Sequence, residues 1–253
     1  MGKRIVSTGR GGTGKTTFTA LATRYLAHPQ LLIDIDPDQS LADMLGIDLE
    51  KEGVRTVLDI LYDIQKNEGY EELSAMPLPE KILYLFNTEC IYESDEFDLV
   101  SLGFKWTEGC YCAPNNLLRG IIPKLAQNYV YTLIDAPAGL EHLNRNITSE
   151  VDDMFIILDP SMKSLKNVAR IQRLTAEVGI KYRNFYTVAN YRFNDELEKR
   201  IRSDGAAYLG RMDYDAEVEQ YNLDGKSLLE LPENSPASLS VKRILEKAGY
   251  QTG

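Results

Sequence analysis

The sequence predicts an α/β fold in which helices flank a doubly wound, mostly parallel sheet. Predicted strands and helices alternate along most of the chain, which is typical of parallel sheets with crossover helices. Several apolar strands end in acidic or amide residues, as at the carboxyl edge of sheets that bind ligands. A glycine-rich loop separates the first strand from the first helix. The 253 residues are enough for one large core, so we predict a single domain over residues 1–253.

The elements follow from apolar runs and helical spacing. The predicted strands cover residues 4–8, 31–33, 82–86, 97–102, 130–134, 154–158, 184–189 and 207–212. The predicted helices cover residues 15–27, 41–45, 54–64, 115–126, 164–178 and 239–248.

Composition restricts the function. The formal net charge is −10 and the pI is near 4.9, which argues against a nucleic-acid binder because phosphate backbones favour basic surfaces. No apolar run is long enough to cross a bilayer and no signal peptide precedes the first strand, so we expect a cytoplasmic protein that engages neither nucleic acid nor membrane. Three cysteines do not make a disulfide framework.

Residues 9–17 fit the phosphate-binding pattern of Gly, four residues, then Gly-Lys-Ser/Thr. Glycines let backbone amides curl around an anion, Lys15 can reach the outer phosphates, and the Thr16 hydroxyl can bind Mg²⁺. The predicted nucleotide-binding residues of this loop are Gly11, Gly12, Thr13, Gly14, Lys15, Thr16 and Thr17.

Acidic residues follow two predicted strands. Asp34, Asp36 and Asp38 cluster after the second strand, and Asp36 is our candidate for positioning the attacking water, with its two neighbours as competitors. Asp135 is predicted to help hold Mg²⁺, and Gly139 to let the backbone approach the terminal phosphate.

Two further features indicate ligands. Cys110 and Cys112 are separated by one residue, and thiolates favour metals such as Ni²⁺, Zn²⁺ or Cu(I). One pair supplies two ligands where a closed site usually has four, so a second copy could present the other two across a two-fold axis. Asn190 ends a strand, where its amide could bond a purine edge.

These motifs together resemble a known family. The loop of residues 9–17 resembles the deviant Walker A loop of MinD/ParA-type P-loop ATPases. The Cys-Tyr-Cys of residues 110–112, combined with residues 135–142 (Asp-Ala-Pro-Ala-Gly-Leu-Glu-His), is similar to the CooC-type ATPases, which insert nickel during maturation of carbon monoxide dehydrogenase. The resemblance covers nearly the whole chain.

The resemblance implies an ATP-driven homodimer that holds Ni²⁺ or Zn²⁺ between subunits through Cys110 and Cys112 and delivers nickel to a client enzyme. It implies that Lys15 and Thr16 serve the phosphates and Mg²⁺, that Asp36 serves the water, and that Asn190 contacts adenine.

Two positions depart from the family pattern. Arg10 stands where the family has a signature lysine that reaches the partner's nucleotide; arginine keeps the charge but presents a longer fork, and we count Arg10 with Lys15 and Asp36 as catalytic candidates. Met212 stands where relatives often carry proline in an adenine-side loop.

Two other functions remain open. A ParA/MinD-like partitioning or positioning ATPase would act on DNA or membrane, and the acidic charge argues against it. An iron–sulfur electron carrier resembling the nitrogenase iron protein would use two well-separated cysteines, unlike the spacing here.

Overall fold

A computed structural model describes residues 2–36, 38–66, 70–103, 120–137, 150–177, 179–202 and 207–253. Its centre is an eight-stranded sheet in the order β3-β4-β2-β5-β1-β6-β7-β8. The strands are β1 (Lys3–Gly9), β2 (Gln30–Asp34), β3 (Ile91–Glu93), β4 (Phe97–Ser101), β5 (Tyr131–Asp135), β6 (Glu150–Leu158), β7 (Lys181–Ala189) and β8 (Ala207–Arg211). The pairings are parallel except for that of β3 with β4. The predicted doubly wound, mostly parallel sheet is therefore confirmed.

Helices connect and cover the strands. They are α1 (Lys15–Thr23), α2 (Ser40–Met44), α3 (Val57–Lys66), α4 (Leu78–Glu89), α5 (described over residues 120–125), α6 (Met162–Glu177), α7 (Asp195–Arg202), α8 (Ala216–Asp224) and α9 (Pro236–Lys247). Sequence patterns predicted neither α7 nor α8. Helix α7 has only two apolar residues, Leu197 and Ile201, in its eight positions, and α8 buries none of its residues.

The core has one apolar cluster on each face of the sheet. Val6 and Ile33 point to the side covered by α3, α4, α5, α6 and α7, while Ile5 and Leu32 point to the side covered by α1, α2 and α9. This alternation is the two-residue period of a strand, and each face of the central strands is buried. The strands therefore read as continuous apolar runs, which is why most of them could be predicted.

One predicted strand is wrong. Residues 82–86 lie inside α4, which has Pro79 in its first turn, where proline is tolerated because the first amides have no helical partner. Leu85 and Phe86 are buried, whereas Leu83 and Tyr84 are about half exposed. The run is apolar on both faces of the helix, and a short run of that kind does not distinguish strand from helix.

Among the described residues, none of the helices is long and apolar enough to cross a membrane.

Candidate nucleotide-binding site

The loop between β1 and α1 has the backbone of an anion cradle. Gly12 and Gly14 adopt positive φ angles of 73° and 93°, conformations that disfavour other residues. Gly9 is equally constrained, because a Cβ there would lie 2.3 Å from the carbonyl oxygen of Ile157. Helix α1 starts after Gly14 with no side-chain cap, so its first amides remain available to a ligand.

Lys15 turns back over this loop. Its side chain is buried and its Nζ donates to the carbonyl oxygen of Arg10 at 3.5 Å, while the Thr13 hydroxyl donates to the same oxygen at 2.9 Å. The Lys15 ammonium group therefore lies against the loop whose backbone amides form the anion cradle. A positive charge at this place complements a bound phosphate. We call residues 9–17 together with Asp36 and Asp135 the phosphate end of the site.

Asp135 ends β5 beside the loop and is fully buried. One carboxylate oxygen accepts from the Thr16 hydroxyl at 2.7 Å, and the other accepts from Ser7 at 2.9 Å and Thr19 at 3.1 Å. Burial raises the pKa of Asp135, while the bond from Thr16 and then that from Ser7 oppose the rise. The carboxylate is thus held in a fixed position by β1 and α1.

This donor set fits Mg²⁺. A hydroxyl and a carboxylate at hydrogen-bond distance are the hard oxygen ligands that Mg²⁺ takes in nucleotide sites, alongside phosphate and water oxygens. Thr16 and Asp135 were both predicted for this role, and the fold brings them together from positions 119 residues apart.

The three acids at the end of β2, Asp34, Asp36 and Asp38, differ in their surroundings. Both carboxylate oxygens of Asp34 accept backbone amides, from Asp36 at 2.9 Å and from Leu41 at 3.0 Å. Asp38 is exposed. Asp36 is half-buried, and among the described residues its carboxylate accepts only a 3.3 Å bond from the Asp38 backbone amide. Of the three, Asp36 is the carboxylate most free to meet a water.

Asp34 is a buried carboxyl that resists ionisation. Burial, and after it the neighbouring carboxylate of Asp135, together raise its pKa to about 8, although hydrogen bonds from the Leu41 and Asp36 amides oppose the rise. The two acids are paired in register on β2 and β5. Asp34 therefore anchors the segment that carries Asp36 rather than presenting a free carboxylate.

Arg10 leaves the loop on its outer side. Its guanidinium donates to the Ser161 hydroxyl at 2.9 Å and lies 3.4 Å from the Asp159 carboxylate, both in the segment that follows β6. The Arg10 side chain is 40% exposed. In a single subunit it is thus held by its own chain and not directed into the phosphate loop.

A second part of the site lies at the other side of the loop. A cavity of about 80 Å³ adjoins the loop and α1, and we call it, with Asn190, the base end. Its lining residues are Thr13, Gly14, Thr17, Leu21, Tyr191, Met212, Asp213, Tyr214, Asp215, Val218, Glu219 and Ala237.

Asn190 directly follows β7 and is part of the base end. Its backbone N–H donates to the carbonyl oxygen of Leu158 at 2.8 Å, and its side-chain oxygen accepts from the Arg192 backbone N–H at 3.1 Å. The Nδ2 group is buried without a hydrogen-bond partner among the described residues. A buried amide donor with no partner is costly, so it is a candidate to bond a ligand. The predicted role of Asn190 is compatible with this geometry.

Three predicted residues lie outside the described part of the chain. These are Cys110, Cys112 and Gly139. Within the described ranges no group of three or more metal-ligating side chains occurs. Cys90 is buried, and burial raises the pKa of its thiol to about 12, so it remains an unreactive core residue.

Several site residues were missed by the sequence reasoning. Ser7 and Thr19 hold Asp135, Asp159 holds Arg10, and the Tyr191 and Tyr214 rings lie 5.5 Å apart at the base end. Ser7 and Thr19 gave one signal, since each is a polar residue within a buried run. Asp159, Tyr191 and Tyr214 gave no signal in the sequence, because their contacts join distant segments of the chain.

The fold and the site define a nucleotide-binding protein of the P-loop class. The chain belongs to the AAA domain family, whose model matches residues 3–185. Across 249 residues it is 36% identical to an uncharacterized ATP-binding protein of Methanocaldococcus jannaschii, covering 96% of this chain and 97% of the relative.

Two further similarities concern proteins of stated function. The chain is 26% identical over 268 residues to the carbon monoxide dehydrogenase accessory protein CooC of Rhodospirillum rubrum, covering 99% of each. Its fold resembles that of the septum site-determining protein MinD of Pyrococcus horikoshii complexed with Mg-ADP. The TM-score is 0.66 at 19% identity, over 98% of this chain and 96% of the other. The fold is therefore of the MinD/ParA type.

Proposed function

We propose that this protein hydrolyses ATP with Mg²⁺ and uses the cycle to hold nickel between two subunits and deliver it to a carbon monoxide dehydrogenase-type client. The observation that carries the ATPase half is the hydrogen bond between Thr16 and Asp135 beside the glycine loop. The full-length similarity to CooC and the Cys110–Cys112 spacing support the metal half.

Each catalytic candidate has a task that its surroundings permit. Backbone amides of residues 11–17 and the Lys15 ammonium bind the phosphates. Thr16 and Asp135 hold Mg²⁺, which supplies charge neutralisation on the phosphate oxygens. Asp36 orients the water for in-line attack, since phosphoryl transfer depends on positioning more than on covalent chemistry.

Arg10 acts on the nucleotide of the second subunit. Its present partners, Asp159 and Ser161, hold it near the surface in one subunit, and the 40% exposure of the side chain leaves it accessible to a partner. A guanidinium stabilises the charge that develops on the transferred phosphoryl group.

Nickel is the cargo of this cycle. Cys110 and Cys112 of each copy supply four thiolates across the two-fold axis, a number that a closed site for a soft or borderline metal requires. ATP binding draws the subunits together and completes the site, and hydrolysis loosens it.

The metal half is tested by titrating Ni²⁺ and Zn²⁺ into the purified protein with and without a non-hydrolysable ATP analogue, followed by sizing. We expect one metal per two protomers in a dimer. Replacing both Cys110 and Cys112 with serine should abolish metal binding and leave nucleotide binding intact, whereas Cys90→Ala, which alters a buried thiol, should keep the metal. Unchanged nickel stoichiometry in the double variant contradicts the metal half.

The ATPase half is tested separately with Asp36→Asn. The variant should bind ATP normally and lose hydrolysis by at least about a hundredfold, because the water is no longer oriented. Asp38→Asn is the matched control, since Asp38 is an exposed acid two residues away and should keep its rate. Equal rates in the two variants would remove Asp36 from the mechanism.

A partitioning or positioning ATPase acting on DNA or membrane is the second candidate, favoured by the fold similarity to MinD. The net charge of −10 argues against both surfaces. Salt-sensitive binding to duplex DNA or to anionic vesicles, seen only with ATP, would favour this candidate over the metallochaperone.

A further inference from the structure

Two tyrosines lie exposed at the rim of the base end. Tyr191 is 42% exposed and Tyr214 is 53% exposed, and their ring centroids are 5.5 Å apart at an angle of 53°. Both rings border the cavity beside Thr13, Gly14 and Thr17. Two adjoining exposed aromatic rings next to an apolar cavity mark a surface that gains from being covered.

The backbone beneath Tyr214 is rigid. The backbone N–H of Met212 donates to the Ala189 carbonyl oxygen at 2.9 Å, and the backbone N–H of Asp213 donates to the Ser240 hydroxyl oxygen at 3.0 Å. On the other side, Asp215 caps α8 through the Glu217 amide. The ring of Tyr214 thus projects from a segment that is fixed before and after it.

Tyr191 has a similarly fixed base. It directly follows Asn190, whose amide and side chain are bonded to Leu158 and Arg192, and the Phe193 amide donates to the Asn190 carbonyl at 3.1 Å. Exposed rings on ordered backbone lose little conformational entropy when a ligand covers them.

The position of the cavity identifies the ligand. The residues that border it from the loop side, Thr13, Gly14 and Thr17, belong to the phosphate-binding motif itself. A triphosphate held by that motif therefore directs its nucleoside toward a space adjoining these residues. Met212 packs against the loop side of the cavity, because its Cε lies 3.1 Å from where a Cβ on Gly14 would be, and it gives the cavity an apolar surface there.

The carboxylates in the lining are already engaged. Asp213 accepts from the Arg243 guanidinium at 2.7 Å, and Asp215 accepts from the Ser235 hydroxyl at 2.5 Å. Glu219 accepts from the Tyr214 hydroxyl at 3.5 Å. The lining therefore offers mainly apolar and aromatic surface, which suits a flat π system rather than a second charged group.

We infer that Tyr191 and Tyr214 form an aromatic wall against which the purine base of bound ATP stacks. The inference rests on the proposed function, because it requires the phosphates to lie on residues 9–17. Stacking does not depend on which purine is present, since both have a π face. The wall accordingly strengthens ATP and GTP binding alike, and any preference between them comes from hydrogen bonds such as that of the Asn190 amide.

The test measures the affinities of MgATP, MgGTP and magnesium tripolyphosphate by calorimetry on the full chain. Tyr214→Ala and Tyr191→Ala should each weaken ATP and GTP by about tenfold and leave tripolyphosphate unchanged. Tyr214→Phe, which keeps the ring, should bind ATP within about twofold of the wild type. Tyr84→Ala is the matched control, because Tyr84 is a 50% exposed tyrosine on α4, at the opposite face of the sheet.

Each other outcome is decisive. Unchanged ATP affinity in both alanine variants overturns the aromatic wall, while loss of ATP binding in Lys15→Ala would keep the proposed nucleotide site. An equal loss of tripolyphosphate affinity would assign the effect to the loop and likewise overturn the wall. A wild-type protein that binds neither ATP nor tripolyphosphate removes the proposed function together with this inference.

Discussion

The phosphate end and the base end of the site are built in different ways. At the phosphate end, glycines with positive φ angles and a buried, fully bonded carboxylate set the geometry, and the Asp135 side chain has no exposed surface. At the base end, an apolar cavity is bordered by exposed tyrosines. Under the proposed function, the phosphate end selects its ligand through charge and fixed hydrogen-bond donors, and the base end contributes contact surface. Removing one side chain that faces the ligand should therefore lower ATP affinity more at the phosphate end than at the base end.

The largest effect is expected for Lys15→Ala at the phosphate end. Loss of a buried ammonium that complements phosphate should weaken MgATP binding by about a hundredfold, near 2.7 kcal/mol. Calorimetry measures the affinity, and Lys51→Ala, which removes an exposed lysine on another surface, serves as the control. An affinity within a few fold of the wild type would mean that charge does not dominate this end.

An intermediate effect is expected for Asn190→Ala at the base end. One hydrogen bond from the unpartnered Nδ2 group should be worth about tenfold in ATP affinity. The ratio of ATP to GTP affinity should change, unlike in the tyrosine variants. Asn194→Ala is the control, because Asn194 is an exposed asparagine at the start of α7 whose side chain caps that helix. A constant ratio would assign base selection to other groups.

A pH effect is expected at Asp34. Its folded pKa of about 8 lies above the unfolded value, so between about pH 4 and pH 8 the unfolded state binds fewer protons and the stability contributed by this group falls as pH rises. Asp34→Asn removes the titrating group and loses one of the two hydrogen bonds that the carboxylate accepts from backbone amides. The stability advantage of the wild type should therefore shrink by at least about 1 kcal/mol from pH 5 to pH 8.

Urea unfolding without nucleotide or Mg²⁺ measures this difference. Asp38→Asn, at an exposed position, should parallel the wild type at each pH. Parallel curves for Asp34→Asn as well would show that the buried carboxylate is ionised in the folded protein at low pH.

The smallest effect is expected for Arg10→Ala. The ion pair with Asp159 is partly exposed, and such pairs contribute at most about 1 kcal/mol to the free energy of unfolding. ATP affinity should be unchanged in a single subunit, because the guanidinium points away from the loop. A stability loss above about 2 kcal/mol would indicate that Arg10 is part of the structural frame.

The prediction from sequence was good where local chemistry sets the structure. The loop of residues 9–17, the acids at the end of β2 and every strand except β3 were predicted, because glycine conformations and residue alternation act over a few positions. Residues 82–86 were assigned to a strand and lie in α4, because periodicity in so short a run is ambiguous until the helix packs. Cys110, Cys112 and Gly139 stay predictions.

The residues that complete the site belong to distant segments. Asp135 meets Ser7 across 128 positions, and Tyr191 meets Tyr214 across two strand ends. The parallel register of β1, β2 and β5 brings Ser7, Asp135 and Asp34 into one row. The amino-acid order was enough to predict a glycine-rich phosphate-binding loop and acidic residues beside it, because spacing encodes the local backbone. Which carboxylate is buried and fully bonded, which one keeps few partners, and where the two tyrosine rings meet depend on strand order and burial, which long-range packing creates.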